Sequence, residues 1–372
     1  MRELRDILTS LVALRARGEP AALATITRVK GSTYRREGAR LLIRQDGTTV
    51  GSISGGCLEG DVAEAAREVM QTGQARMMSY DLTADDDAVW GLGLGCNGAI
   101  DVFVEPVRSA SGLDVVVLLQ DTIEHRRSAA LATLIASPPG GAAVGSRLFV
   151  PQEGHATGSL GDPVLDAMVT QAARDQIAER RTTVVPLEMT GGRGDVFIEV
   201  LTPPIPLLVC GAGHDTLPLV RLAHQLGWWV MVADSRPAFA TRERFPEADE
   251  VFLVDDRDVP NAVRIDGETF AVVMTHNYLH DLEIVRGLLR SPARYIGMLG
   301  PRARTDKMLA ELEQQGVVLD DAQRARLYGP VGLDTGADSP EEIALSIAAE
   351  ILAVRYNREA ASLRNRRGPI HA

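Results

Sequence analysis

The first 203 residues contain one pattern written twice. "AALATITRVKGSTYRREGARLLIRQDGTTVGSISGGCLEGDVAEAA" (21–66) and "AALATLIASPPGGAAVGSRLFVPQEGHATGSLGDPVLDAMVTQAA" (129–173) both open on Ala-Ala-Leu-Ala-Thr. Each passes a glycine-containing turn into a short apolar strand (Arg40–Arg44; Arg147–Val150) and turns again at Gly47 or Gly154. Each then reaches Gly51-Ser52 or Gly158-Ser159 and a helix-like run ending Ala-Ala. The likeness extends to "DVFVEP" (101–106) and "DVFIEV" (195–200). Two copies of one pattern must each form the same small unit, so residues 1–107 and 111–203 predict a mixed α/β N-terminal domain with internal pseudo-symmetry.

Spacing supplies the helices. Leu4, Ile7, Leu8, Leu11 and Val12 recur at helical period, as do Val62, Ala65, Ala66, Val69 and Met70, and Leu165, Met168, Val169 and Ala172. "DVVVLLQDTIEH" (114–125) is ambiguous because β-branched residues favour strands. Its place in the repeat makes it the counterpart of the first helix.

The copies differ where chemistry is expected. Cys57 aligns with Val164, and Gly55-Gly56 with Asp162-Pro163. The first copy alone carries "TADDDAVWGLGLGCNG" (83–98), which sets Cys96 beside Gly95. Residues shared by both copies build the unit; unshared ones are candidates for a site. Cys57 is expected near the first turn of a helix, where unpaired amides and the helix dipole stabilise a thiolate. Side-chain-free Gly55 and Gly56 would let a bulky ligand reach the backbone. The bland alternative for Cys57 and Cys96 is a small buried hydrophobe. Cys210, completing an apolar run, reads as structural.

"TPPIP" (202–206) stiffens the chain and stops both helix and ladder. A Rossmann-like parallel-sheet domain is expected over 206–358, followed by a basic tail, 359–372. "PLLVCGAGHDTLPLVRLAHQLGWWVMVADSRP" (206–237) reads strand, glycine turn, helix, strand. Gly211 permits the turn, Gly213 would admit a pyrophosphate, and Asp234 would meet a ribose hydroxyl, though Thr216 replaces the usual third glycine. The alternative for Asp234 is a capped turn before Pro237. Strands at 250–256, 270–277 and near 295, with helices at 281–289 and 339–355, continue the alternation. Strand C-termini bind ligands in such folds, which makes Gly211, Gly213, His214, Asp234, Thr275, His276, Gly300 and Arg302 candidate cofactor-binding residues. His214 and His276 are candidate acid/base or orienting groups, with loop histidines bonded to backbone as the alternative.

Composition excludes some functions. A net charge of −11 repels phosphate backbones and argues against nucleic-acid binding. No signal peptide or membrane span is visible. Three cysteines make no disulfide framework and point to a reducing, cytoplasmic setting. No Cys/His cluster has the spacing of a protein-bound metal site.

"GSTYRREGARLLIRQDGTTVGSISGGCLEGDV", "WGLGLGCNGAIDVFVEP", "CGAGHD" and "GLDTGADSPEEIALSIAAEILA" resemble the XdhC/CoxI family, accessory proteins for maturing molybdenum hydroxylases such as xanthine dehydrogenase. The chain departs from the family pattern at Asn97 and at "GHDT" (213–216), where members often carry Gly and a "GHVG"-like turn. The resemblance implies binding of the molybdenum cofactor, help in exchanging an oxo ligand for sulfur, and delivery to the apo molybdenum hydroxylase, with a cysteine desulfurase as sulfur source. Cys57 and Cys96 would then carry the chemistry as soft ligands. The pterin's phosphate would need cations, for which Arg35, Arg36, Arg40, Arg302 and Arg304 are candidates. This implies a cofactor chaperone rather than a turnover enzyme. Two alternatives stand beside it: an NAD(P)-dependent oxidoreductase using the C-terminal domain, and a structural assembly factor that binds no cofactor. A homodimer is an open option.

Overall fold

A computed structural model describes residues 2–81, 97–107 and 115–366. The chain separates into two compact units, Glu3–Pro203 and Pro204–Ala372, the first two residues grouping with the latter.

The first unit opens with α1 (Arg2–Arg17), β1 (Ala21–Ser32), β2 (Arg40–Arg44), β3 (Thr49–Gly51), α2 (Glu59–Thr72), β4 (Arg76–Asp81) and β5 (Asn97–Val107). The series then recurs as α3 (Val115–Glu124), β6 (Ala129–Ala136), β7 (Arg147–Pro151), β8 (Thr157–Ser159), α4 (Pro163–Glu179), β9 (Thr183–Met189) and β10 (Gly192–Leu201). Both copies form five-stranded antiparallel sheets, ordered β3-β2-β1-β5-β4 and β8-β7-β6-β10-β9. Even the irregularity repeats. The β1–β5 register slips between Ile26 and Arg28, and the β6–β10 register slips at the twin position beside Leu134. Equivalent bulges bend equivalent strands. The 115–124 segment is helical despite its β-branched residues, because its apolar face has a core to fill, shared with α1.

Alternation along β1 explains the layering. Ala22, Ala24 and Ile26 pack on Val62, Ala66 and Val69 of α2. Ala21 and Leu23 point the other way, into a core with Ile7, Leu11, Leu119, Leu131 and Phe149 drawn from both copies. Val12 and Met168, expected in the apolar stripes, are exposed; Leu14 and Ala173 fill those places instead.

The second unit holds β11 (Pro206–Cys210), α5 (Thr216–Gln225), β12 (Trp229–Asp234), β13 (Glu250–Leu253), α6 (Val259–Ala262), β14 (Phe270–Val273), α7 (Tyr278–Arg290), β15 (Tyr295–Met298), α8 (Arg302–Gln314), α9 (Asp321–Ala325), β16 (Leu327–Tyr328) and α10 (Pro340–Arg355). Its sheet is wholly parallel, ordered β13-β12-β11-β14-β15-β16, the doubly wound Rossmann order. Every residue of β11 is buried, as a strand covered on both faces requires. The strands expected at 250–256 and 270–277 stop at Leu253 and Val273, leaving the following residues as loops at the strand ends. Ser339 and Glu342 form a reciprocal capping box at the start of α10. Among the described residues no helix is long and apolar enough to cross a membrane.

Candidate functional site

The twin positions begin their helices differently. In the second copy Asp162 is extended (φ −143°) and accepts a hydrogen bond from Val164 N, and Pro163 starts α4. In the first copy Gly55 and Gly56 take φ of +79° and +120°, which only glycine adopts without strain. The helix therefore starts later, at Glu59, with Leu58 as its N-cap. Cys57 sits just outside the helix, half-buried against the core beneath α2.

Glu59, which sequence reasoning missed, organises this loop. Its carboxylate accepts from Ser52 Oγ (3.0 Å), Ile53 N (3.2 Å), Ser54 N (3.0 Å), Gly56 N (2.9 Å) and Leu58 N (3.2 Å), and from the Ser54 hydroxyl. Burial pushes the Glu59 carboxyl up, but the bonds from Ser54 and its neighbours outweigh this and hold it at about 2. Those four loop amides thus face a carboxylate, not the thiol expected to use such groups. The twin Asp166 makes a smaller version of the clamp, to Ser159 Oγ and Leu160 N, both at 2.7 Å. The signal for Glu59 was that shared acid near the start of each helix.

The open side of the loop is narrower than the glycines suggested. A Cβ on Gly55 would lie 3.2 Å from the Tyr34 ring, so that space is filled, whereas a Cβ on Gly56 would meet nothing within 4 Å. Two nearby arginines proposed as anion ligands are spoken for: Arg35 pairs with Glu3 at 2.8 Å, and buried Arg40 pairs with Glu199. Cys96 and Gly95 lie outside the described residues. A cleft of about 390 Å³, lined by Thr27, Arg28, Lys30, Glu37, Asp101 and Thr183 among others, contains none of the residues singled out from sequence.

In the second unit, Gly211, Gly213, His214, Asp234, Thr275, His276 and Gly300 do gather at the carboxyl ends of β11, β12, β14 and β15. Gly211 is required by close approach: a Cβ there would stand 2.6 Å from Met274 O, at φ +115°. Thr216 is fully buried and donates its hydroxyl to Gly211 O at 2.8 Å, tying off the turn the missing glycine would have closed by packing. Thr275 donates to buried Asp281 at 2.6 Å, and Asp281 also accepts from Arg304 at 2.5 Å. His214 is exposed, and Arg302 is largely exposed beside Asp306. Cys210 is sealed in the sheet, and burial pushes its thiol far up.

A dinucleotide does not fit this arrangement. The expected ribose acceptor, Asp234, has both oxygens engaged: Oδ1 by Arg236 N (2.8 Å) and Nε (2.9 Å), Oδ2 by Ala212 N (2.7 Å) and Arg236 Nη2 (2.7 Å). Burial alone would raise its carboxyl; those bonds lower it instead. Over Gly213, where a pyrophosphate would approach, stands the Asp215 carboxylate, 2.6 Å from the position of a Cβ. His276 holds it there through Nε2, at 2.6 Å, from a left-handed backbone (φ +60°) that a non-glycine residue takes at a cost of about 1–3 kcal/mol. A carboxylate in that place repels phosphate. Beyond Asp234, a cavity of about 90 Å³ is edged by Asp256, whose carboxylate is bound by His280 Nδ1 at 2.5 Å. Among the described residues no three His, Cys, Asp or Glu side chains are grouped to hold a metal ion.

Each unit has known relatives. Residues 207–351 match the XdhC Rossmann domain, and residues 14–81 and 122–187, one stretch in each copy of the repeat, match the XdhC and CoxI family. A probable xanthine dehydrogenase subunit from Bacillus subtilis is 33% identical over 93% of this chain and 97% of its own length. The molybdenum cofactor insertion chaperone PaoD of Escherichia coli is 24% identical over 95% of this chain and 90% of its own. A crystal structure described as a xanthine dehydrogenase from Bacillus halodurans superposes with a TM-score of 0.74 and 34% identity, covering 96% of this chain and 98% of that one. With its twinned antiparallel sheets and its parallel C-terminal sheet, the chain belongs to the XdhC and CoxI family.

Proposed function

We propose that this protein takes up the molybdenum cofactor as cargo, assists the exchange of an oxo ligand for sulfur, and passes the cofactor to an apo molybdenum hydroxylase of the xanthine dehydrogenase type. A cysteine desulfurase is the sulfur source, and the work is done in the cytoplasm, where thiols stay reduced. One observation carries the reading: a single frame is built twice, and only one copy replaces Asp-Pro-Val by Gly-Gly-Cys. The replacement shortens the helix and leaves Cys57 on a clamped loop beside the open face of Gly56. A thiolate there is a soft ligand for molybdenum or sulfane sulfur. Cys96, present only in the same copy, is the second thiol. Family membership and the likeness to an insertion chaperone support the same reading. The dehydrogenase alternative lacks comparable support, because the ribose and pyrophosphate positions are filled by Asp234's partners and by Asp215.

The test is anaerobic purification from cells making the cofactor, with molybdenum and pterin measured per protein. Cys57→Ala is expected to lower the molybdenum-to-protein ratio about tenfold, the loss of roughly 1.4 kcal/mol of binding. Its melting temperature should move by no more than about 3 °C, since a half-buried sulfur contributes little packing. An unchanged ratio would remove Cys57 from the site. A large fall in melting temperature with an unchanged ratio would make it a structural residue.

A further inference from the structure

We infer that Tyr34 is a positioning residue of the Cys57 loop: its ring is the platform on which the flat pterin end of the cargo stacks. The inference rests on the cargo reading above and adds to it a residue and a contact.

Tyr34 lies in the turn between β1 and β2 and is 67% exposed. An isolated exposed side chain means little by itself. This one is held in place from two directions. Thr33 donates its hydroxyl to Arg35 O at 2.7 Å, bridging across Tyr34, and Arg35 pairs with Glu3 of α1 at 2.8 Å. One side of the ring rests on Gly55, with Cδ1 and Cε1 each 3.2 Å from where a Cβ would stand. Any side chain at position 55 would press on the ring. Gly55 is fixed in turn: its N–H donates to Ser52 Oγ at 3.1 Å, and Ser52 Oγ donates to Glu59 at 3.0 Å. The ring therefore has a rigid backing and an open outer side.

The repeat supplies a comparison inside the same chain. The two turns align at Gly38 and Gly145, whose amides donate to Ile26 O at 2.9 Å and to Leu134 O at 2.8 Å. Counting back equally, Tyr34 corresponds to Gly141, where a Cβ would stand 2.6 Å from Ser137 Oγ. Gly55 corresponds to Asp162. Both members of the ring–glycine contact are thus peculiar to the copy that carries Cys57. The frame does without the ring, since its twin is built without one. A side chain that the frame does not need, backed by the loop of Cys57, is placed to serve the site.

The chemistry matches. A pterin carries a flat, conjugated pyrimidinone ring, and aromatic side chains hold such rings by stacking. A Cβ on Gly56 would meet nothing within 4 Å, which leaves room next to the ring for the rest of an extended ligand. Tyr34 would orient one end of the cargo while the Cys57 sulfur meets the other.

The experiment is a titration of the full chain with neopterin, a metal-free pterin, followed by the pterin's own fluorescence. Saturable quenching is expected. Tyr34→Leu keeps apolar bulk but loses the aromatic face, and should weaken binding about tenfold, within the range of one stacked ring. Tyr34→Phe should bind within about twofold of the parent, because stacking needs the ring and not the hydroxyl. Cys57→Ala should bind neopterin as the parent does, since this probe brings no metal to the sulfur. Melting temperatures check that each variant is folded. The inference is overturned if neopterin does not bind saturably, if folded Tyr34→Leu binds it as the parent does, or if Tyr34→Phe loses as much as Tyr34→Leu. Neopterin binding unchanged in Tyr34→Leu, with less cargo passed to an apo-hydroxylase, would overturn it in favour of a protein contact. None of these results decides the Cys57 reading, which stands or falls on the molybdenum-to-protein ratio of Cys57→Ala.

Discussion

At Glu59, burial and hydrogen bonding pull one carboxyl in opposite directions, and the hydrogen bonds win. The folded value of about 2 lies below the ordinary 4.5. The charged form is therefore the one the fold stabilises, and the contribution is complete above about 4.5. It is lost as the pH falls through about 2. Glu59→Gln cannot make the charge-assisted bonds at any pH. At pH 7 it should be less stable by about 1–2 kcal/mol, allowing for solvent screening at a partly exposed site. Urea unfolding at pH 7, 4 and 3 should show the gap between parent and variant closing as the pH drops; a gap that stayed constant would mean the charge is not what holds the loop. Cys57 could be picked out from sequence because its twin is a valine. Its local geometry could not. Whether a glycine pair continues a helix or unwinds its first turn depends on φ values that no residue count supplies, and here Gly55 and Gly56 unwind it.

At the scale of the element, two helix starts in one chain form a natural comparison. Asp162-Pro163 starts α4 one turn earlier than Gly55-Gly56 lets α2 start. Grafting Asp-Pro onto positions 55 and 56 should extend α2 backwards and draw Cys57 into its first turn. A new cap is worth about 1 kcal/mol, and replacing glycines reduces the entropy of the unfolded chain by about 0.4–1 kcal/mol each. Against this, proline removes the amide that Gly56 gives Glu59, and Tyr34 must move off position 55. These terms nearly cancel, so the melting temperature should stay within about 5 °C of the parent. Cargo retention should fall as it does for Cys57→Ala. Retention at the parental level, with circular dichroism showing added helix, would mean the loop conformation does not matter. Helix and strand identities were readable at this scale wherever period was clear. For 115–124 propensity pointed the wrong way, and the repeat decided correctly. In the second unit the strand, glycine turn and acid were all visible, but the contacts of Asp234 and Gly213 with Arg236 and Asp215 were not. Arg236 and Asp215 are ordinary loop residues in sequence, and nothing in their spacing shows that one binds Asp234 and the other stands beside Gly213.

Over the whole first unit the pseudo-symmetry extends to its ion pairs. Arg40 of the first copy binds Glu199 of the second, and the twin of Arg40, Arg147, binds the twin of Glu199, Glu105. Arg28 lies between the twin aspartates, 2.7 Å from Asp195 and 3.6 Å from Asp101. The repeat itself was legible, but these reciprocal contacts were not. Arg40 and Glu199 are 159 residues apart, and spacing rules see only near neighbours. A charged residue kept at the same place in both copies, inside otherwise apolar strands, was the available clue. The pairs make a testable division of labour. Both members of Arg40–Glu199 are about 8% exposed, so removing one leaves a buried charge with no counterpart. Arg40→Met should destabilise the protein by about 3–5 kcal/mol. Arg147 and Glu105 are 20% and 13% exposed, and water can partly replace a lost partner there. Arg147→Met should cost less than Arg40→Met. The double variant Arg40→Met/Glu199→Leu removes both charges and both desolvation penalties, and should recover most of the loss. Urea unfolding of the four proteins decides the matter. If the double variant were as unstable as Arg40→Met alone, the arginine would be acting through its packing between the sheets rather than through its charge.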